Sequence, residues 1–337
     1  MTQVLVTGAA GFIGHHVVAE LLRETDWHIV ALDRIDATCT LERLGDVLLP
    51  KDRPRFRYIW HDLRAPVNNF IAHAIGPIDY VVHLAASTHV DRSISHPEEF
   101  VLDNVLGTCH LLHWAKQLRL IKFLNFSTDE VFGPAPPGRL YKEWDRYHPT
   151  NPYAASKAGA VDLGIAFENT WKVPVVTTFC TNVFGERQHY EKFIPGTIRN
   201  ILMGQEVLVH ANPDCTKAST RFYIRVHHVA EAVHLLLEQG EPGEKYNIAG
   251  VEEIDNLALV KQIAAVIEQC EPGATAGFAP KLINFHESRP GHDLRYGLDP
   301  TKLRELGYRF PPRFQQSLTE VVCWYLGNRH WLNLPQG

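Results

Sequence analysis

The chain has 337 residues, of which 45% are hydrophobic and 21% are charged, and its formal net charge is -5. These values are ordinary for a globular protein and exclude a collagen, a coiled coil and a disordered chain. The 33 Lys and Arg against 38 Asp and Glu leave no basic excess for binding nucleic acid. No apolar run approaches the length of a transmembrane helix, so we predict no membrane span.

The six cysteines lie far apart and form no Cys-x-x-Cys pair, and the N-terminal residues do not resemble a signal peptide. We therefore expect a cytoplasmic protein with reduced thiols. The histidine pairs His15-His16 and His227-His228 raise a metal site as an alternative. Neighbouring residues point in different directions, and neither pair has a convincing set of Cys, Asp or Glu at ligand spacing, so we predict no metal.

The first half of the chain alternates short apolar runs with amphipathic stretches, which is typical of a parallel sheet with crossover helices. Long helices are predicted over residues 96–118 and 152–171, the second capped by Asn151, and their exposed side is a candidate dimer face. We predict a doubly wound α/β domain over residues 1–180 and a smaller C-terminal α/β lobe over 181–337, parts of which return to the first domain. The strand candidates are residues 4–6, 29–32, 56–59, 80–84, 122–126 and 175–179.

A glycine-rich loop follows the first strand candidate and precedes a helical pattern. Gly8 permits a tight turn, Gly11 lets the backbone approach a pyrophosphate, and Gly14 lets the helix pack closely on the sheet. The helix N-terminus then faces the negative charge of the phosphates. The order of strand, loop and helix predicts a dinucleotide site, to which Phe12 and Ile13 also belong.

An acidic residue closes the second strand candidate, 19 positions after Gly14. There the Asp33 carboxylate accepts hydrogen bonds from a ribose and repels a 2′-phosphate, so the pattern favours NAD, while the adjacent Arg34 keeps NADP as an alternative. Open α/β sheets bind ligands at successive strand ends. The further candidates at these ends are Asp62 for the adenine amino group, its neighbour Leu63, and Leu84, Ala85 and Ala86.

Tyr153 and Lys157 stand four residues apart at the start of a predicted helix, so they share a face. A nearby ammonium, the positive helix end and an oxidised nicotinamide all favour a phenolate. We therefore predict that the pKa of Tyr153 lies below ~10 and that Tyr153 acts as a base.

Two adjacent acids follow the fifth strand candidate in the segment Thr128-Asp129-Glu130. Of two neighbouring carboxyl groups, one can stay protonated and donate a proton, while the other is ionised and accepts one. The alternative is a loop whose acids cap the next helix.

The glycine loop, the Tyr153 and Lys157 pair, Thr128-Asp129-Glu130 and the segments 89–94 and 288–293 together resemble the extended short-chain dehydrogenases, most closely the dTDP-glucose 4,6-dehydratases. The resemblance implies a Rossmann-like fold, bound NAD, a nucleotide-sugar substrate and a homodimer. It implies that Tyr153, helped by Thr128, deprotonates the sugar 4-hydroxyl, that Glu130 removes the C5 proton, and that Asp129 protonates the departing 6-hydroxyl. The substrate-binding residues that it implies are Ser87, Thr128, Asn182, Glu191, Lys192, His210, Arg221, Asn256, Arg289 and His292.

Departures from the family pattern lie in the second lobe. Val183 replaces an asparagine, His210 stands where an aromatic residue usually stacks on the base, and Phe222-Tyr223 replaces Asp-Trp. His228 stands in place of an aspartate. The nucleotide base and the hexose therefore stay open. A nucleotide-sugar epimerase or decarboxylase, against which Asp129 argues, and a catalytically silent NAD-binding regulator are the alternative functions.

Overall fold

The computed structural model describes residues 1–36, 39–285, 293–310 and 313–334. Within these ranges a seven-stranded parallel sheet forms the centre of the molecule, in the order β10-β6-β5-β4-β1-β2-β3. β2 and β3 lie on one side of β1, and β4 and the later strands lie on the other side. The boundary between β1 and β4 is therefore the switch point where such sheets bind ligands. The seven strands are β1 (Gln3–Thr7), β2 (His28–Asp33), β3 (Phe56–Trp60), β4 (Tyr80–His83), β5 (Lys122–Thr128), β6 (Val175–Cys180) and β10 (Lys245–Ile248).

Helices cover both faces of this sheet, and for that reason its central strands are largely buried. β5 and β6 are buried at every position. A buried cluster on one face includes Val18 and Val233, and a cluster on the other includes Leu112 and Phe167. The described helices are α1 (Phe12–Glu24), α2 (Leu41–Val47), α3 (Asn69–Ile75), α4 (Val90–Ser95), α5 (Pro97–Phe100), α6 (Gly107–Ala115), α7 (Pro152–Trp171), α8 (Phe193–Leu202), α9 (Val226–Gln239), α10 (Asn256–Cys270), α11 (Thr301–Glu305) and α12 (Phe314–Gly327).

The single helix predicted over residues 96–118 is wrong in detail. The helical run begins earlier, at α4, restarts with Pro97 at the first position of α5, continues through a π-helix over Val101–Leu106, and ends with α6. A π-helix widens the turn and changes which side chains face the neighbouring elements. Its residues Asp103 and Asn104 take part in the candidate site described below.

Helix α7 has the predicted bounds. Asn151 Oδ1 accepts a hydrogen bond from Ala154 N at 2.8 Å, and Pro152 occupies the first helical position. The helix ends before Lys172, which has a positive φ of 57° and stops the helical hydrogen-bond pattern.

A second lobe stands at one end of the large sheet. Its described strands are β7 (Asn182–Phe184), β8 (Val207–Ala211), β9 (Thr220–Arg225), β11 (Glu253–Asp255) and β12 (Pro280–Asn284), arranged as β11-β9-β7 and β12-β8. Helices α8, α10 and α12 bury a separate apolar core around Ile198, Ile263 and Leu318. The predicted fold class, a doubly wound sheet with a smaller C-terminal α/β lobe, is thus confirmed.

The domain boundary near residue 180 stays a proposal. Both α9 and β10 follow that residue in the chain, yet α9 packs on α1 and β10 pairs with β6 in the large sheet. Among the described residues, no helix is long and apolar enough to cross a membrane.

Candidate active site

The glycine loop lies where β1 turns into α1 and passes close to the end of β4. Gly8 has a φ of +68°, and a Cβ at this position would lie 2.6 Å from Ala85 N. A Cβ on Gly14 would lie 2.0 Å from Gly8 O. Side chains at these positions would fill the cradle at the N-terminus of α1, so the loop fits a pyrophosphate held by backbone N–H groups.

Asp33 is the last residue of β2 and lies beside this loop. Its Oδ2 accepts a hydrogen bond from Ala10 N at 2.8 Å. Burial raises the pKa of Asp33 to about 6, so the group is ionised at neutral pH. A carboxylate at the end of the second strand fits the ribose of a bound dinucleotide.

Arg34 forms an ion pair with Asp103, an acid that was not predicted from the sequence. The guanidinium forms two hydrogen bonds of 2.7 Å with the carboxylate of Asp103, and it lies 3.4 Å from Asp62. Asp62, the predicted adenine partner, also accepts a 2.6 Å hydrogen bond from Arg64 Nη2. Since Arg34 is already paired, the arrangement favours NAD over NADP.

Hydrogen bonds of Ser87 connect the segment after β4 to the π-helix. Ser87 Oγ donates to Asp103 Oδ2 at 2.5 Å, and Ser87 N donates to Asn104 Oδ1 at 2.8 Å. Asn104 Nδ2 in turn donates to Ser156 Oγ on α7 at 2.8 Å. Leu84, Ala85 and Ala86 precede Ser87 on this rim, while Phe12 and Ile13 open α1 and Leu63 is buried after β3.

Thr128 ends β5 at the same edge of the sheet, and a 3₁₀ turn over Asp129–Phe132 follows. The Thr128 hydroxyl donates to Asp129 Oδ1 at 3.2 Å and accepts from Glu130 N at 3.4 Å. Burial, and then the charge of Glu130, raise the pKa of Asp129 to about 7, although Arg221 opposes the shift. Asp129 is therefore able to hold a proton near neutral pH.

Asn151 and Tyr296 are among the side chains that contact the second acid, Glu130. Asn151 Nδ2 donates to Glu130 Oε2 at 3.1 Å, and the hydroxyl of Tyr296 lies 3.5 Å from the same oxygen. The guanidinium of Arg221 stacks on the ring of Tyr296, 4.6 Å from its centroid. Sequence reasoning treated Asn151 only as a helix cap and missed Tyr296.

Tyr153 and Lys157 lie in the first turns of α7 and are both buried. Tyr153 forms a hydrogen bond with Thr128, which brings it to the two acids. Burial and then the charge of Glu130 raise the pKa of Tyr153 well above its usual range, whereas the predicted lowering includes the charge of a bound oxidised nicotinamide and stays a prediction. Lys157 Nζ donates to Phe126 O at 2.7 Å, and burial lowers the pKa of Lys157 to about 8.

Two predicted substrate residues approach this rim from the second lobe. Lys192 Nζ donates to Thr88 O at 3.2 Å, and Glu191 Oε2 accepts from Arg92 Nη2 at 2.8 Å. Segment 191–192 therefore contacts the chain that follows β4.

The other predicted substrate residues that the structure describes lie on several different elements of the second lobe. Arg221 on β9 reaches the acids through Tyr296 and donates to Asp293 O at 2.8 Å. Asn256, at the start of α10, bonds Tyr223 and Ser219 with its side-chain amide, at 2.9 and 2.8 Å. Asn182 begins β7 and His210 lies on β8. Arg289 and His292 lie outside the described residues.

Three of the four paired histidines, His15 and His16 of α1 and His227 of α9, pack together. The rings of His15 and His16 lie 4.0 Å apart, and those of His16 and His227 lie 4.6 Å apart, while His228 contacts Glu231 at 3.0 Å. Burial lowers the pKa of His15 and of His16. Within the described ranges, no three His, Cys, Asp or Glu side chains are arranged to hold a metal ion.

Comparisons with known proteins agree with this geometry. The family described as GDP-mannose 4,6 dehydratase matches residues 5–321. A dTDP-glucose 4,6-dehydratase from Neisseria gonorrhoeae is 38% identical over 342 residues, covering 97% of this chain and 96% of that protein. The solved dTDP-glucose 4,6-dehydratase of Streptomyces venezuelae, with NAD bound, is 34% identical and covers 98% of both chains with a TM-score of 0.87.

An enzyme of different activity has nearly the same fold. The UDP-glucose 4-epimerase of Thermus thermophilus, solved with NAD, is 29% identical, covers 97% of this chain and 99% of its own, and has a TM-score of 0.83. Both solved relatives hold NAD, in agreement with the predicted cofactor. From its site, its fold and these full-length relatives, the chain belongs to the GDP-mannose 4,6 dehydratase family of extended short-chain dehydrogenases.

Proposed function

We propose that this protein is an NAD-dependent NDP-hexose 4,6-dehydratase, which converts a nucleotide-linked hexose such as dTDP-glucose to its 4-keto-6-deoxy form. The observation that carries the proposal is the pair of acids at the end of β5. Asp129 is buried with a pKa of about 7, and Glu130 accepts a hydrogen bond from Asn151. A simple dehydrogenase or an epimerase has no leaving hydroxyl to protonate and so needs no such acid.

Bound NAD would supply a hydride acceptor for the sugar C4 and, once reduced, a hydride donor for C6. The glycine loop and the N-terminus of α1 would hold its pyrophosphate, and Asp33 its ribose. The backbone approach at Gly8 and Gly14 and the pairing of Arg34 with Asp103 support this assignment. The proposed cofactor residues are Gly8, Gly11, Phe12, Ile13, Gly14, Asp33, Asp62, Leu63, Leu84, Ala85, Ala86, Tyr153 and Lys157.

Oxidation at C4 begins with proton transfer from the sugar 4-hydroxyl to the phenolate form of Tyr153. Burial and then the charge of Glu130 raise the pKa of Tyr153, whereas its hydrogen bond with Thr128 lowers it. Lys157, whose pKa is about 8, is mainly an ammonium at neutral pH and adds positive charge on the same helix face. Positive charge near the phenol would lower the pKa of Tyr153 and so favour proton transfer from the sugar 4-hydroxyl.

Elimination then uses the two acids of the 3₁₀ turn. The 4-ketone acidifies the C5 proton, which passes to Glu130, while the C6–O bond breaks and Asp129 gives its proton to the departing hydroxyl. Water leaves, and the proton held by Glu130 returns to C5. Asp129 suits the acid role because an acid with a pKa near the working pH transfers its proton most effectively.

The second lobe would hold the nucleotide end of the substrate. Lys192 and Arg221 carry positive charge near the rim and suit a diphosphate. The base and the hexose depend on residues that depart from the family pattern. The proposed substrate residues are Ser87, Thr128, Asn182, Glu191, Lys192, His210, Arg221, Asn256, Arg289 and His292.

A panel of NDP-sugars tests the function directly. Protein with NAD is incubated with dTDP-glucose, UDP-glucose, CDP-glucose and GDP-mannose, and the products are analysed by mass spectrometry. We expect one sugar nucleotide to lose water without net NADH accumulation, and deuterium placed at C4 to appear at C6. The Tyr153→Phe variant is the control and should give no product. A product that keeps its 6-oxygen would instead indicate an epimerase.

We further propose a cytoplasmic homodimer. Six free cysteines support a reducing compartment. Val101 and Leu102, exposed by 52% and 41%, lie on the π-helix that packs on α7 and support an apolar contact between copies. Light scattering should give twice the chain mass for the protein and the single chain mass for Val101→Asp with Leu102→Asp.

A further inference from the structure

Two cysteines of the second lobe bring their sulfur atoms close together. Cys270 is the last residue of α10, Cys323 lies in α12, and their Sγ atoms are 3.5 Å apart. Both residues are exposed, whereas Cys39 and Cys180 are buried. The thiol pair is therefore open to reagents in solution.

The packing of the two helices fixes this proximity. Ile267 of α10 and Val322 of α12 are fully buried in the core of the second lobe, close in the chain to the two cysteines. Next to Cys270, Glu271 accepts hydrogen bonds of 2.5 Å with both oxygens from Arg329, which follows α12. The two helix ends are thus joined by apolar packing on one side and by an ion pair on the other.

We propose that Cys270 and Cys323 are a modification site, where a low-molecular-weight disulfide such as oxidised glutathione converts the two thiols into a protein disulfide. One thiolate attacks the reagent and releases one glutathione thiol, leaving a mixed disulfide. The second thiolate attacks the protein sulfur of that mixed disulfide and releases the second glutathione. The two cysteines are oxidised, the reagent is reduced to two thiols, and the two protons pass to these leaving groups.

The geometry requires little movement. A disulfide needs a sulfur separation of roughly 2 Å, which rotation of two exposed side chains can supply from contact distance. The bond would join residues 53 positions apart and fix α10 against α12. In a reducing compartment the dithiol is the resting form, and the disulfide forms under oxidative conditions.

Titration sets the conditions for this reaction. Burial and the neighbouring Cys270 raise the pKa of the Cys323 thiol, so the thiolate fraction grows as the pH rises. Because the thiolate is the nucleophile, the reaction should be faster at pH 8.5 than at pH 7.

The test uses the full chain and oxidised glutathione at both pH values. We expect free thiols to fall from six to four, a tryptic peptide pair linking Cys270 to Cys323, and a Tm higher by about 2 °C or more. Dithiothreitol should reverse all three changes.

Two variants separate the pair from the other thiols. Cys215→Ser should behave like the wild-type protein apart from one thiol fewer, and Cys323→Ser should retain a glutathione adduct on Cys270 without a cross-link. Stable glutathione adducts on both cysteines of the wild-type protein, or cross-links that involve other cysteines, would overturn the proposal. The inference is independent of the proposed dehydratase activity, because every measurement is made without a sugar nucleotide.

Discussion

The side-chain amide of Asn151 donates a hydrogen bond to Glu130 at 3.1 Å, and the oxygen of the same amide caps the helix that carries Tyr153. One residue thus sets the start of α7 and holds the proposed base of the elimination step. Because different atoms of Asn151 make the two contacts, substitution can separate helix capping from the contact with Glu130.

Replacing Asn151 by Ser should lower kcat by roughly 10- to 100-fold, because Ser caps a helix well but lacks the amide donor to Glu130. Asn151→Ala should lose similar activity and also about 1 kcal/mol of stability, because the cap is gone. Steady-state kinetics and urea unfolding measure the two effects. Full activity in Asn151→Ser would show that the contact with Glu130 is not needed.

The variant Asp129→Asn with Glu130→Gln should separate oxidation from elimination. Tyr153 is unchanged, so the sugar C4 should still be oxidised, whereas no group remains to remove the C5 proton or protonate the 6-hydroxyl. We expect rapid mixing to show enzyme-bound NADH that persists, with no loss of water by mass. Tyr153→Phe, the matched control, should form neither. Normal dehydration by the double variant would refute the assigned roles.

The rate of the elimination step should fall as the pH rises above about 7. Asp129 acts in its protonated form, and its pKa of about 7 means that this form is lost as the pH rises through that value. Single-turnover rates of water loss between pH 6 and 9 measure this limb separately from oxidation. A rate that is constant over this range would mean that Asp129 is not the acid.

The same raised pKa predicts a stability effect. The folded pKa of Asp129 lies above its unfolded value of 3.8, so its favourable contribution is complete below that value and is lost as the pH rises to about 7. Asp129→Asn removes the buried charge and should stabilise the protein at pH 8 by roughly 2–4 kcal/mol. Urea unfolding at pH 8 and pH 5 gives the comparison, and the gain should be smaller at pH 5.

Cofactor choice should depend on two acids. Asp33 repels a 2′-phosphate, while Asp103 neutralises Arg34 through two hydrogen bonds of 2.7 Å. Asp33→Ser should weaken NAD binding, and adding Asp103→Asn should strengthen NADP binding by freeing the Arg34 charge. Calorimetric Kd values for both cofactors test this, with Asp26→Asn, an exposed acid that precedes β2, as the control.

The sequence by itself determined the features that arise from neighbouring residues. The strand candidates, the glycine loop and the start of α7 follow from local patterns. A buried strand is a short apolar run, an amphipathic helix repeats its apolar positions, and Asn151-Pro152 supplies both a cap and a first helical residue. The acids after β5 and the pair on α7 could be placed at one rim because parallel strands end at one edge of a sheet.

Only the tertiary structure decided the electrostatics of that rim. Burial raises the pKa of Asp129 and of Tyr153, since both values depend on how completely water is excluded by elements far apart in the chain. The contacts of Arg34 with Asp103 and of Tyr296 with Glu130 span 69 and 166 positions. No local periodicity encodes such pairs, because their partners meet only when the sheet and the second lobe have assembled.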